Sequence, residues 1–160
     1  MAIKYHSNIR LMDNNILQIG TGGDLKLEHT GTHSNIYNTT GNLNFIQYAD
    51  DKDIIFQSDD GSGGVETYFF LDGSSADANY NYTVFPDLSV AAFGNDKDLR
   101  LFHSSTNSYI QNLVGDLYIQ NQANDKDIIL LSDDGSGGTT AYLTLDGSAS
   151  QILIAKETVF

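Results

Sequence analysis

Carboxylates and glycines concentrate in one heptapeptide, Ser-Asp-Asp-Gly-Ser-Gly-Gly, found at Ser58–Gly64 and again at Ser132–Gly138. The paired acids Asp59/Asp60 and Asp133/Asp134 offer oxygen ligands to calcium, which takes roughly six to eight oxygens from a flexible loop. The spacing lacks the alternate-position ligands and distant Glu of an EF-hand, and it does not recur at the short period of calcium-binding nonapeptide arrays. The simpler reading is a glycine turn between strands, with Asp side chains capping its amides. Leu71–Ser74 and Leu145–Ser148, both Leu-Asp-Gly-Ser, read the same way, as strand ends followed by Asp-Gly turns.

His29 and His103 end two related strings, Asp24–His29 and Asp98–His103, and a threefold axis would multiply them into a metal-ligating set. His33 has no counterpart, since Asn107 stands in its place, and this favours a histidine satisfied by hydrogen bonds at a strand end. Acid pairs such as Asp50/Asp51 and Asp59/Asp60 have the residue types of a glycosidase. Such a site, however, needs two environments that push the pKa values apart, and these acids sit in polar turns present in duplicate. The chemistry that remains is recognition by aromatic side chains. Tyr68, Phe70, Tyr118 and Tyr142 fall on the outward face of their strands, where flat rings flanked by Asn, Asp and Gln suit sugars, or pack against a neighbouring chain.

These residues come in pairs because the sequence repeats. Asp51–Gly64 returns as Asp125–Gly138, 74 residues on, and Asp24–Ser74 matches Asp98–Ser148 at 28 of 51 positions without a gap. Carried outward, the offset defines a lead-in at 1–8, modules at 9–82 and 83–156, and the opening of a third repeat at 157–160. A chain that stops inside a repeat reads as a piece of a longer array, or as an array whose partner supplies the next piece. Tandem modules of this kind bury their apolar faces against themselves and their nearest neighbours.

Short apolar segments alternate with Gly, Asn, Asp and Ser clusters, and no helical period persists, so the expected fold is all-β. Leu25/Leu99 and Leu27/Leu101 stay apolar around Lys26/Arg100. Leu43/Leu117 and Phe45/Ile119 bracket Asn44/Tyr118, and Phe69/Leu143 and Leu71/Leu145 bracket Phe70/Thr144. Each strand therefore has one face expected to be buried and one wet. Ile54–Phe56 and Ile128–Leu130 are apolar throughout and predict a central or interchain strand covered on both sides. Pro86, the single proline, is placed to break an edge before the Leu88–Phe93 segment.

Composition narrows the function. Eight basic against 21 acidic residues give a net charge of −13, which opposes the counterion release behind nucleic-acid binding and repels anionic membranes. Without cysteine there is no disulfide, thiolate zinc site or cysteine nucleophile. No window approaches the length of a membrane span, and the first residues lack the apolar run of a secretory signal.

Gly20–Phe45 followed by Ala49–Ser74 resembles the repeat found in tail-fibre and other structural proteins of tailed bacteriophages, especially those infecting marine cyanobacteria. Asp24-Leu25, His29, Ser34, Ile36, Asn38, Thr40-Gly41 and Leu43 carry the likeness in the first copy. Asp98-Leu99, His103, Ser108-Tyr109-Ile110, Asn112, Gly115 and Leu117 carry it in the second. His29-Thr-Gly-Thr and His103-Ser-Ser-Thr depart from the family's His-Asp-Gly-Ser. The resemblance implies a virion fibre segment, homotrimeric, with host-receptor contact at or near its tip. The expected architecture is an elongated β-solenoid or β-prism-like fibre of 74-residue modules; the alternative is a monomeric β-sandwich or solenoid. The expected function is to space or present a host-binding surface, without enzymatic activity, calcium being the one conceivable cofactor. The alternative is a carbohydrate-binding or calcium-dependent adhesin module.

Overall fold

The structure, a computed structural model, describes residues 8–74 and 79–155. The expected third-repeat opening at 157–160 and nearly all of the lead-in at 1–8 lie outside them. The described residues hold twelve strands and no helix: β1 (Ile16–Ile19), β2 (Leu25–His29), β3 (Ser34–Asn38), β4 (Ile54–Asp59), β5 (Val65–Asp72), β6 (Tyr82–Val84), β7 (Ala91–Phe93), β8 (Leu99–His103), β9 (Ser108–Asn112), β10 (Ile128–Asp133), β11 (Thr139–Asp146) and β12 (Gln151–Ile154). They form four open, three-stranded antiparallel sheets, each a meander in chain order with β2, β5, β8 or β11 in the middle. The chain divides into two units, Met1–Ser89 with β1 to β6 and Val90–Phe160 with β7 to β12.

In the first unit β1–β2–β3 aligns Leu17, Leu27 and Ile36 in one row and Ile19, Leu25 and Asn38 in another, so the apolar residues share a face opposite Lys26 and Glu28. In β4–β5–β6, Ile54 pairs with Leu71, Ile55 with Phe70, and Phe56 with Phe69, after which the register shifts between Phe56 and Gln57. That bulge places two residues of β5 opposite one of β4 and re-aims the strand end that carries the Asp-Gly turn. The rings of Phe56, Phe69 and Phe85 stack along one face, with centroids 4.5 Å and 5.7 Å apart. β6 crosses the 82/83 boundary read from the repeat and pairs with β5. Pro86 follows it, its carbonyl accepting the Ser89 amide at 2.9 Å in a turn where Leu88 takes φ 66°.

The second unit shows the same pairings 74 residues on. Leu101 aligns with Ala91 and Ile110, Ile128 with Leu145, and Leu130 with Leu143; the bulge falls between Leu130 and Leu131. The third strand of the second sheet differs. Asp72 pairs with Tyr82 across the 73–81 connection, whereas Asp146 pairs with Gln151 across 147–150, a loop five residues shorter.

Three expectations are corrected. Of the central or interchain position expected for Ile54–Phe56 and Ile128–Leu130, the central alternative fails, because they lie on β4 and β10, edge strands of their sheets. Leu43–Ile46 and Leu117–Ile119, expected as strands, pair with nothing within the chain. The division into a buried and a wet face also fails within the chain: no apolar side chain among the described residues is buried, and the residues expected inward, Leu27 and Phe45, are 38% and 61% exposed. Phe69 and Phe70, on opposite faces of β5, are both half-buried. A sheet face of leucines needs a second layer, and the described residues of neither unit form the buried apolar interior of a single-chain sandwich.

Candidate functional site

The glycine-rich hairpins are built alike in both units. Asp60 Oδ1 accepts the Ser62 amide at 2.7 Å, the Ser62 hydroxyl at 2.8 Å and the Gly64 amide at 3.0 Å. Asp134 Oδ1 accepts the equivalent Ser136 amide and hydroxyl, both at 2.7 Å, and the Gly138 amide at 3.1 Å. The Asp60 and Asp134 amides close the turns on the Gly64 and Gly138 carbonyls. Asp59 and Asp133 each accept the amide two residues on, from Gly61 and Gly135. These donors, the Ser62 amide foremost, hold the Asp60 carboxyl below its usual range. The Ser136 hydroxyl, then its amide, does the same for Asp134.

The turns are locked from outside the heptapeptide as well. Tyr68 Oη donates to the Asp59 carbonyl at 3.1 Å and Tyr142 Oη to that of Asp133 at 3.0 Å. At the other end of the hairpin, Asp53 Oδ1 accepts the Gly73 amide and Asp127 Oδ1 the Gly147 amide. Gly73 and Gly147 approach the Lys52 and Lys126 carbonyls so closely that a Cβ would collide with backbone. Asp72 and Asp146 cap the next turn through Ser74 and Ser148, and the Ala149 amide is the foremost of the donors that lower the Asp146 carboxyl pKa. The sequence reading missed the Tyr68 and Tyr142 hydroxyl bonds and the reach of Asp53 and Asp127. Their signal was present, since all four residues recur at the same offset, Tyr68 and Tyr142 between neighbours that change.

His29 Nδ1 lies 3.0 Å from Ser34 Oγ and His103 Nδ1 3.0 Å from Ser108 Oγ, each a cross-strand pair. His29 also lines a shallow, open depression on the apolar face of β1–β2–β3 with Leu11, Met12, Leu17, Leu27 and Ile36. Among the described residues no three His, Cys, Asp or Glu side chains converge to hold a metal ion. The donors engage one oxygen of each carboxylate, Oδ2 of Asp59 and Asp133 and Oδ1 of Asp60 and Asp134, so these oxygens serve the turn itself.

The four aromatics separate. Tyr118 is 80% exposed, its hydroxyl 3.5 Å from Asp116 Oδ2, on the unpaired 116–120 segment. Tyr68 and Tyr142 are engaged at their hydroxyls, and half-buried Phe70 lies between Ile55 and Val84. They form no single ring platform within a unit. Tyr48, 89% exposed on the other unpaired segment, was overlooked because its counterpart is Gln122. Phe102 and Tyr109 stack at 4.8 Å across β8 and β9. The geometry offers repeated, rigid hairpin tips and large uncovered apolar faces. No family model, curated protein or solved structure matches the chain.

Proposed function

We propose that this chain is a non-enzymatic segment of a virion fibre, of the tailed-phage type that its repeat resembles, built from tandem β-modules that associate as a homotrimer. It spaces or presents a host-receptor-binding surface. The observation that carries this reading is the absence of any buried apolar side chain among the described residues of a chain that is 40% hydrophobic. Two separate compact units of half this mass would expose about 9,500 Å² together. The chain exposes 13666 Å². Apolar faces left uncovered on that scale mark an association surface, and repeated modules supply it at regular intervals along an elongated assembly. The self-bonded Asp-Gly turns serve the same end, since they stiffen each hairpin without a core.

Light scattering coupled to size exclusion tests the reading, run at high salt so that the −13 charge is screened, with and without a calcium chelator. A mass three times 17.5 kDa, unchanged by chelator, is expected. A monomer at every concentration would refute it, and an assembly that dissolves on chelation would move the calcium-dependent adhesin to first place. The exposure of Tyr118 favours glycan binding as a second reading. Binding by the isolated chain, lost in Tyr118→Ala, would establish it.

A further inference from the structure

Asn42–Tyr48 and Asp116–Gln120 hold no strand, turn or bend, and their backbone amides and carbonyls make no hydrogen bond within the chain. The carbonyls just before each segment are satisfied: the Asn38 side chain bonds those of Thr40 and Gly41, and the Asn112 side chain those of Val114 and Gly115. Both segments alternate apolar residues in the manner of strands, Leu43 and Phe45 in one and Leu117 and Ile119 in the other. Phe45 and Ile119 are 61% and 65% exposed. Backbone polar groups beside apolar side chains are a ready template for strand addition.

We infer that these two segments are the strands through which copies of this chain pair with one another, each completing a sheet only in the assembly. The inference rests on the homo-oligomeric reading above and adds to it the residues that join the chains.

Charge identifies the occupant as a second copy. In a chain of net charge −13, Thr30–Ala49 contains no charged residue apart from a titratable histidine, and Leu101–Asn124 contains only Asp116 besides His103. Like chains therefore meet with the least repulsion where the unpaired segments lie. Recurrence points the same way, since every copy of this chain carries the same two unpaired segments.

The test is amide hydrogen exchange at peptide resolution on the full chain at high salt. It is run at a concentration where light scattering shows the oligomer and at a dilution where it shows the monomer. Amides of residues 43–48 and 117–120 are expected to exchange at least about tenfold more slowly in the oligomer, with protection lost on dilution. Asn44→Pro and Tyr118→Pro remove an amide that bonds nothing within the chain. They should shift the oligomer toward monomer while the hairpin amides of β4–β5 and β10–β11 keep the wild-type rates. An oligomer whose 43–48 and 117–120 amides exchange as freely as in the monomer would overturn the pairing and leave the oligomeric reading intact. A monomer at all concentrations would overturn both.

Discussion

Replacing Phe69 by Ala removes the middle ring of a three-ring stack and probes both the single chain and its assembly. The Phe69 ring lies 4.5 Å from Phe56 at 14° and 5.7 Å from Phe85 at 27°. Each such pair contributes about 0.5–1.5 kcal/mol beyond area burial, so the dispersed chain should lose about 1–3 kcal/mol. With no layer over the ring there is little cavity to add. Once another chain covers this face the site becomes a core, where Phe→Ala costs about 3–5 kcal/mol. Leu143, the counterpart in the second unit, has no ring stack, so Leu143→Ala should lose less than Phe69→Ala when dispersed and become severe only on association. The assay is urea unfolding followed by far-UV circular dichroism at high salt, above and below the association concentration. A Phe56→Ala/Phe69→Ala cycle isolates the ring coupling. A dispersed-state loss below about 0.5 kcal/mol would refute the stacking account. Equal losses at both concentrations would refute the covered face.

Three further outcomes are expected. Gly73→Ala and Gly147→Ala drive a methyl into the Lys52 and Lys126 carbonyls, backbone that cannot rotate away, and should each destabilise by about 1–3 kcal/mol in thermal melts. Tyr68→Phe and Tyr142→Phe delete the hydroxyl donated to the Asp59 and Asp133 carbonyls and should each lose about 0.5–1.5 kcal/mol, with faster exchange at the hairpin tips as the local signature. The Asp60, Asp134 and Asp146 carboxyls are held below the ordinary value of 3.8, so the stability they contribute is complete above that value and is lost as pH falls through the folded-state pKa. Acid titration of the wild type should therefore show a stability loss beginning below about pH 4, and Asp60→Asn with Asp134→Asn should flatten it; an unchanged acid limb would contradict the assignment.

The hairpins were legible in the sequence because local chemistry dictates them. Val65–Asp72 carries β-formers, Asp59–Gly64 supplies the side-chain acceptors and glycines of the turn, and His29 and His103 sit at strand ends beside serines. The layering was not legible. Alternation at Leu25–Leu27 or Leu43–Phe45 tells which residues want cover, and nothing in it tells which surface supplies that cover. For the same reason Leu43–Ile46 and Leu117–Ile119 read as strands yet pair with nothing in the chain: a strand is defined by its neighbour. The β4–β5 bulge left no mark either, since the extra residue Tyr68 has the same type as a regular strand position. The shorter 147–150 connection shows in sequence only as the point where the 74-residue match stops.

Every sheet is a meander of strands adjacent in sequence, and in the proposed oligomer this sets the time order of assembly. Hairpins of this kind close in about 1–10 μs. A two-stranded hairpin alone is marginal at best, and the third strand with its apolar face gives the dispersed chain what stability it has. Local pairing therefore comes first, and in the proposed oligomer the slow step is the collision between chains. Assembly should accordingly be second order or higher in chain concentration and faster at high ionic strength. Unfolding of the proposed assembly should be rare, because it would release several chains' worth of apolar surface at once.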